Sequence, residues 1–324
     1  MKPTTFALLL FALPGLAAAQ EQPADQTAST RDRSHNPERE RAAVDDRRIR
    51  GDLRLNALRF DNFFQAPDGS PQQDVDAWAG ELRFVVPFAE TLEAYSNLNY
   101  TTYDDPLDPS QGITAGLRSA GRTHGFDLFG EYLTNRPSGD VGELVEQADI
   151  RRVAGEYSYR VTRDWQLSAL GDYQQQDFDL TQGKNNTFVD FGGAIRYRGF
   201  GSAFSPEVGA TFGDRDAEDP GEDHDQRDLF FKVRSAPSDW AYLSFRYRYR
   251  TRDYSIADPL ASNFEREDTR QQWVATADLR TGSVLTWNLY YSFEDAESTR
   301  ANREFTTSLF AAGVTIGMGE LFGW

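Results

Sequence analysis

The chain has 324 residues, a formal net charge of −17 at pH 7 and no cysteine. The lack of cysteine excludes disulfides, thiolate metal sites and cysteine nucleophiles, and the excess of acid disfavours a nucleic-acid partner. No apolar run reaches the roughly 18 residues that a membrane helix requires, so we do not expect a helical membrane protein.

The first 50 residues differ in character from the rest. Met1 and Lys2 form a short positive region, Phe6 to Leu16 is apolar, and Ala17 to Ala19 fits a small-residue cleavage site. This pattern predicts a signal peptide over residues 1–19. Residues 20–50 hold no aromatic residue and mix acids with arginines, which predicts a disordered periplasmic arm that has a periplasmic protein partner.

From residue 51 onward, short segments alternate apolar and polar residues. The clearest is WAYLSFRYRYRTR, residues 240–252. Because strand side chains point alternately to two faces, one face there is apolar and the other carries arginines. The apolar positions are Leu243, Phe245, Tyr247 and Tyr249, and the arginines are Arg246, Arg248, Arg250 and Arg252.

The connections between these segments alternate between short and long. Fourteen segments are recognisable, with short turns such as 162–164 and 281–283 and long polar loops such as 135–146 and 214–226. Strict alternation is typical of an up-and-down meander with one end in the periplasm, whereas a Greek-key sandwich mixes the lengths. We therefore predict an all-β, transmembrane, antiparallel up-and-down β-barrel over residues 51–324. It has about 14 strands, with 12 or 16 as alternatives, short periplasmic turns and long extracellular loops.

A soluble β-sandwich or propeller would have to bury every apolar face, and no second set of segments exists to cover them. A closed membrane barrel instead turns those faces to lipid. Trp165 and Trp240 follow short turns, while Trp78 and Trp273 open strands next to long loops. These positions predict two aromatic girdles at the membrane interfaces.

Residues 51–324 resemble Gram-negative outer-membrane β-barrels, in architecture and in a C-terminal segment that contains Phe322 and ends on Trp324. The resemblance implies location in the outer membrane, contact with the bilayer and lipopolysaccharide, and insertion by the barrel-assembly machinery, which reads the terminal aromatic residues. Glu320 interrupts the apolar pattern there. Two hairpins, near residues 156–165 and 245–250, also resemble the MtrB/PioB barrels that sheath multihaem cytochromes. The Cys-x-x-Cys motif that those barrels often carry is missing here.

The polar faces of the later segments predict a basic wall in the lumen. Its residues are Arg196, Arg198, Lys232, Arg234, Arg246, Arg248, Arg250, Arg252 and Arg280. Rings of arginine or lysine attract anionic solutes. The alternative is a structural ladder in which these side chains pair with acids or with an inserted loop and block the pore.

The remaining candidates favour neither metal binding nor catalysis. Acids concentrate in the predicted outer loops, but the spacing over 214–225 does not match an EF-hand. His35, His124 and His224 are the three imidazoles, and none shows readable spacing to a serine. We expect the protein to bind no cofactor and no metal and to have no enzymatic activity. The sequence favours a passive, porin-like channel for small polar or anionic solutes. The alternative is a non-conducting scaffold for an electron-transfer or polysaccharide-export partner.

Overall fold

The computed structural model describes residues 49–61, 74–89, 91–104, 107–138, 146–179, 185–201, 203–256, 265–300 and 304–318. They form a closed barrel of fourteen antiparallel strands, in which each strand pairs with its neighbours in the chain and β14 pairs with β1. The predicted fold class and strand number are confirmed. The strands are β1 Arg50–Asp61, β2 Val75–Pro87, β3 Leu92–Tyr103, β4 Ser110–Ala120, β5 His124–Ser138, β6 Glu146–Arg160, β7 Trp165–Phe178, β8 Asn186–Tyr197, β9 Ser205–Ala217, β10 His224–Ser238, β11 Ala241–Tyr254, β12 Glu267–Thr281, β13 Leu285–Ser298 and β14 Phe305–Gly317.

The two ends of the barrel carry different connections. One end, called the outer end here, carries the connections 62–74, 104–109, 139–145, 179–185, 218–223, 255–266 and 299–304. The other, called the inner end, carries mostly shorter turns such as 121–123 and 239–240, although 198–204 is longer. Several outer connections are shorter than the sequence predicted, because the strands continue past the end of their apolar face. A 3-10 turn, Pro220–Glu222, lies in the β9–β10 connection.

The surface that faces away from the lumen carries an apolar band. This band stops abruptly toward the outer end of the barrel, and we call that boundary its outer edge. The last apolar outward-facing residues are Trp78, Tyr100, Ile113, Tyr132, Val153, Tyr173, Val189, Phe212, Leu229, Tyr249, Trp273, Phe293 and Phe310. The next outward positions are all polar: Asp76, Thr102, Gln111, Thr134, Arg151, Gln175, Thr187, Asp214, Arg227, Thr251, Gln271, Asp295 and Ser308. The band is about 20–25 Å tall, which matches the lipid-facing surface of a transmembrane barrel.

The four predicted girdle tryptophans all belong to this band. Trp165 and Trp240 lie at its inner edge and are 47% and 60% exposed, and Trp78, 55% exposed, lies at its outer edge. Neither Trp78 nor Trp273 opens its strand, because β2 begins at Val75 and β12 begins at Glu267. Trp273 nevertheless marks the outer edge, where its ring packs between Tyr247 and Phe293.

The interior of the described part of the barrel is mostly polar, but Ala296 and Phe305 form a small apolar cluster and a larger one lies at the outer end of β14, β1, β2 and β3. Leu107 of the β3–β4 connection packs against the larger cluster. The buried members of the larger cluster are Leu58, Phe60, Val75, Ala77, Ala79, Tyr103, Leu309 and Ala311. Among the described residues, no helix is long and apolar enough to cross a membrane.

The middle of the apolar band is the place where a charge costs most. Leu289 lies there on β13 and is 41% exposed. We expect Leu289→Arg to lower the free energy of unfolding by about 2–4 kcal/mol, because its guanidinium faces hydrocarbon. Denaturant titration of the protein refolded in lipid vesicles measures this. Thr187→Arg is the matched control, since Thr187 faces outward on β8 beyond the band, and an equal loss in both variants would contradict the position of the band.

Candidate functional site

The predicted basic wall lies on one side of the lumen, on β8 and β10 to β12. Inward positions follow from the strand registers, which place Lys232 opposite Arg246, and Arg250 opposite Arg270. Arg198 follows the last residue of β8 and donates to Gln166 Oε1 at 2.9 Å. Arg280 behaves differently from the other members, because it donates to the carbonyls of Gly282 and Ser283 in the β12–β13 turn.

In the outer half of the wall, a single carboxylate holds two arginines. Asp228 of β10 is 1% exposed. It accepts a hydrogen bond from Arg248 and another from Arg250 Nε at 2.8 Å. Thr211 Oγ1 at 3.3 Å and Gln226 Nε2 at 3.4 Å also donate to it. Asp228 therefore orders this part of the ladder and compensates much of its charge.

At the outer end, a second network joins the strands to the connecting segments. Arg266 donates to Asp268 at 3.0 Å and to Glu222 of the 3-10 turn at 3.2 Å, and its guanidinium lies 3.6 Å from the centroid of the Tyr254 ring. Arg270, also on β12, donates to Glu294 of the next strand, β13, at 3.3 Å. Arg266, Asp268, Arg270 and Glu294 are buried, so the outer end of this wall is an ordered network of ion pairs.

In the inner half, the basic side chains surround Glu207 of β9. Arg196 donates to Glu207, and the Arg234 Nη1 atom lies 3.6 Å from the same carboxylate. Lys232 stands directly opposite Glu207 in the strand register. Arg246, next in that row, donates to the amide oxygen of Gln272 at 3.2 Å. Two arginines, Arg196 and Arg234, thus lie against one carboxylate here, and Lys232 stands beside it in the register.

The opposite side of the lumen is more evenly balanced in charge. Arg152 makes a two-pronged ion pair with Asp172, with Nε–Oδ1 at 2.9 Å. Arg118 pairs with Glu93, and the Arg54 Nη1 atom lies 3.6 Å from Glu81. The acidic and basic residues that face inward on β1 to β7 alternate closely, so the surplus of positive charge belongs to β8 to β12.

Several residues of this site were not recognised in the sequence. Asp228, Arg266, Asp268 and Arg270 all face inward and join the network. They stand at positions 224–228 and 266–270, where the period-two pattern continues but the outward residues are already polar. They could have been found by continuing the inward and outward alternation of each strand beyond its last apolar residue.

The histidines lie in two different places. His124 lies at the inner edge of the band, where its Nδ1 atom contacts the hydroxyl of Tyr157. His224 is buried at the outer end, with Nδ1 3.0 Å from the carbonyl of Glu222 and its ring beside Tyr254. The described residues include no group of three or more histidine or acidic side chains that is placed to hold a metal ion.

Asp214 and Asp216 of β9 and Asp225 of β10 form an outward-facing rim beyond the apolar band. Asp214 stands directly opposite Asp225 in the register. Partial desolvation, and then the negative charges of Asp225, Asp216 and Asp223, raise the pKa of Asp214. Asp214, Asp216 and Asp225 face the surroundings of the barrel and not its lumen. The predicted signal peptide, nearly all of the N-terminal arm, and the insertion-signal residues Phe322 and Trp324 lie outside the described residues.

Several barrels of known structure are similar to this one. An anion-selective porin from Comamonas acidovorans aligns over 83% of this chain and 98% of its own, with 8% identity and a TM-score of 0.45. A FadL homologue from Pseudomonas aeruginosa aligns over 85% of this chain and 92% of its own, with 11% identity and a TM-score of 0.46. OmpT, an outer membrane protein of Vibrio cholerae, in its trimer form, covers 83% and 98%, with 9% identity and a TM-score of 0.46.

At these identities the likeness concerns the barrel fold alone. A scan against models of protein families gave no match, and neither did a search among curated proteins. The resemblance to outer-membrane β-barrels drawn from the sequence is confirmed at the level of architecture, by the closed fourteen-stranded meander.

The Asp228 carboxylate can be tested by removing its charge. We expect Asp228→Asn to lower the free energy of unfolding by about 3–5 kcal/mol, because two buried arginines lose their shared counter-charge. Asp253→Asn is the matched control, since Asp253 pairs with Arg227 at 3.1 Å on the exposed surface of the same hairpin. The control change costs about 0–1 kcal/mol. Urea unfolding in detergent measures both, and similar small losses would show that Asp228 does not hold the wall.

Proposed function

We propose that this protein is an outer-membrane barrel that works as a passive channel for small polar or anionic solutes. Its short turns face the periplasm, and its apolar band contacts the bilayer. The observation that carries the proposal is the surplus of arginine and lysine on one lumen wall, opposite a wall whose charges are balanced. Fixed cations along a pore raise the local concentration of anions and lower that of cations.

The pairing of the wall does not cancel this field. In the outer half, Asp228 and Glu294 each accept from arginines, so the net charge there is small. In the inner half, Arg196, Lys232, Arg234 and Arg246 stand around Glu207. The positive potential is therefore concentrated toward the inner end, and a solute crossing the barrel meets it there.

A second candidate function is a non-conducting barrel that sheaths or anchors a partner protein. The observation that favours it is the burial of the lumen side chains at the outer end. Arg252 and Asp268 are 0% exposed there, and His224 is 1% exposed. An electron-transfer protein or a polysaccharide-export component is the kind of partner that the sequence suggested for such a scaffold.

The proposal includes the partners of an outer-membrane barrel. Residues 1–19 direct export, and Phe322 and Trp324 are read by the barrel-assembly machinery. The acids and Arg227 beyond the band lie at the level of lipopolysaccharide headgroups. The N-terminal arm, which precedes β1 at the inner end, has a periplasmic partner.

Replacing charge in the inner half tests the channel. We expect the double variant Lys232→Gln, Arg246→Gln to lower the chloride-over-potassium permeability ratio by about three- to tenfold, because it removes two fixed cations from the inner half of the wall. Single-channel recording in planar bilayers measures the ratio. The control is Arg227→Gln, an outward-facing change that removes one cation from the rim. An unchanged ratio in the double variant would contradict the role of the wall. If the folded barrel carries no current, the result would favour the second candidate function, a non-conducting scaffold.

A further inference from the structure

Four aromatic rings form a continuous column at the inner end of the barrel, beside β7, β8 and the start of β9. Trp165 and Tyr197 are cross-strand partners on the lipid-facing side, and their ring centroids lie 4.9 Å apart. The centroid of the Phe200 ring lies 5.1 Å from that of Tyr197, edge-on, and 5.9 Å from that of Phe204. We call these four residues the aromatic column. It joins the inner edge of the apolar band to the β8–β9 connection, residues 198–204.

The β8–β9 connection bends toward the lipid side of the barrel. Ser235 of β10 pairs with Leu243 on the outward-facing side, and its Oγ atom donates a hydrogen bond to the Ala203 carbonyl at 2.6 Å. Phe204 precedes Ser205, which pairs with the lumen-facing Arg234, so strand alternation gives Phe204 the outward position. The connection is thus tied down against the outside of the barrel.

The column is exposed and its connection carries no charge. The side chains of Trp165, Phe200 and Phe204 are 47%, 59% and 42% exposed, and residues 199–204 include no charged side chain. A contiguous exposed apolar surface of this kind marks a contact with a membrane or with another protein. This one continues the lipid-facing band, and it begins at Trp165, at the level where aromatic residues lie between the acyl chains and the headgroups. Its continuity with the band favours lipid as the occupant.

We propose that the β8–β9 connection is a membrane-contacting foot, which inserts Phe200 and Phe204 into the interface of the phospholipid leaflet at the inner end. The connection presents these rings in a defined conformation. Gly201 has a φ of 67°, and its N–H donates to the Arg198 carbonyl at 2.9 Å. Gly199 has no side chain that would displace the Tyr197 ring. Little ordering is therefore required when the foot enters the interface.

The inference requires the lipid contact of the apolar band but no conduction. That this leaflet is the periplasmic one rests on the proposed function.

The test uses the absence of cysteine from the chain, which lets one introduced cysteine carry a nitroxide spin label. Ala203→Cys leaves all four rings intact. Ser283→Cys is the matched control, because the β12–β13 turn is also exposed and uncharged over 282–284 but has no aromatic residue. The full-length protein is refolded in vesicles of phosphatidylethanolamine and phosphatidylglycerol, with a water-soluble nickel chelate on both sides. We expect oxygen, which concentrates in the membrane, to relax the label at position 203 more than nickel does. The reverse order is expected at position 283.

A second change tests whether the rings hold the foot in the membrane. Adding Phe200→Asp and Phe204→Asp to the labelled Ala203→Cys protein is expected to reverse the order at position 203, because carboxylates leave the interface for water. Heat modifiability in gel electrophoresis checks that each variant is folded.

If the label at position 203 is as accessible to nickel as the label at position 283, or if the aspartates leave its accessibility unchanged, the inference is overturned. The column would then be a surface for an occupant other than lipid. Neither measurement involves current, so failure of the foot leaves the proposed channel standing, and a barrel without current can still show the foot.

Discussion

The structure depends on the need to satisfy every backbone hydrogen bond without water. In a bilayer, an unpaired N–H or C=O group costs several kcal/mol, so a sheet can cross only if it has no free edge. The pairing of β14 with β1 meets that demand. Closure then fixes the alternation of side chains, because each residue must point either to lipid or to the lumen. The apolar band and the charged interior are two results of the same constraint.

The charged interior carries a second free-energy cost, that of burying charged side chains. Ion pairs between these side chains offset it. Burying an arginine without an ion-pair partner destabilises a protein. In the outer half of the wall, Asp228, Asp268 and Glu294 form ion pairs with the arginines. The inner half keeps more positive than negative charge, around Glu207. Under the proposed function, the inner half of the wall attracts anions, whereas the outer half has the ion pairing expected of a structural ladder.

Much of the fold was predictable because lipid imposes a period of two on every strand. Fourteen segments that alternate apolar and polar residues, of which residues 243–249 are the clearest, predicted the class, the strand number and the faces. Strand ends were less predictable, since beyond the band the outward positions become polar, as at Asp214 and Gln271, and the apolar signal stops. Asp228 and Asp268 were missed for that reason. Ion-pair partners depend on the register between strands, which the sequence pattern of single strands does not contain.

The claim that one wall carries a surplus of positive charge is tested most directly by the reversal potential of the unmodified protein in a planar bilayer under a potassium chloride gradient. The account predicts a steady current whose reversal potential has the sign of chloride selectivity and falls toward zero as the salt concentration rises, because salt screens fixed charge. A reversal potential of the opposite sign, or one that salt does not affect, would contradict it.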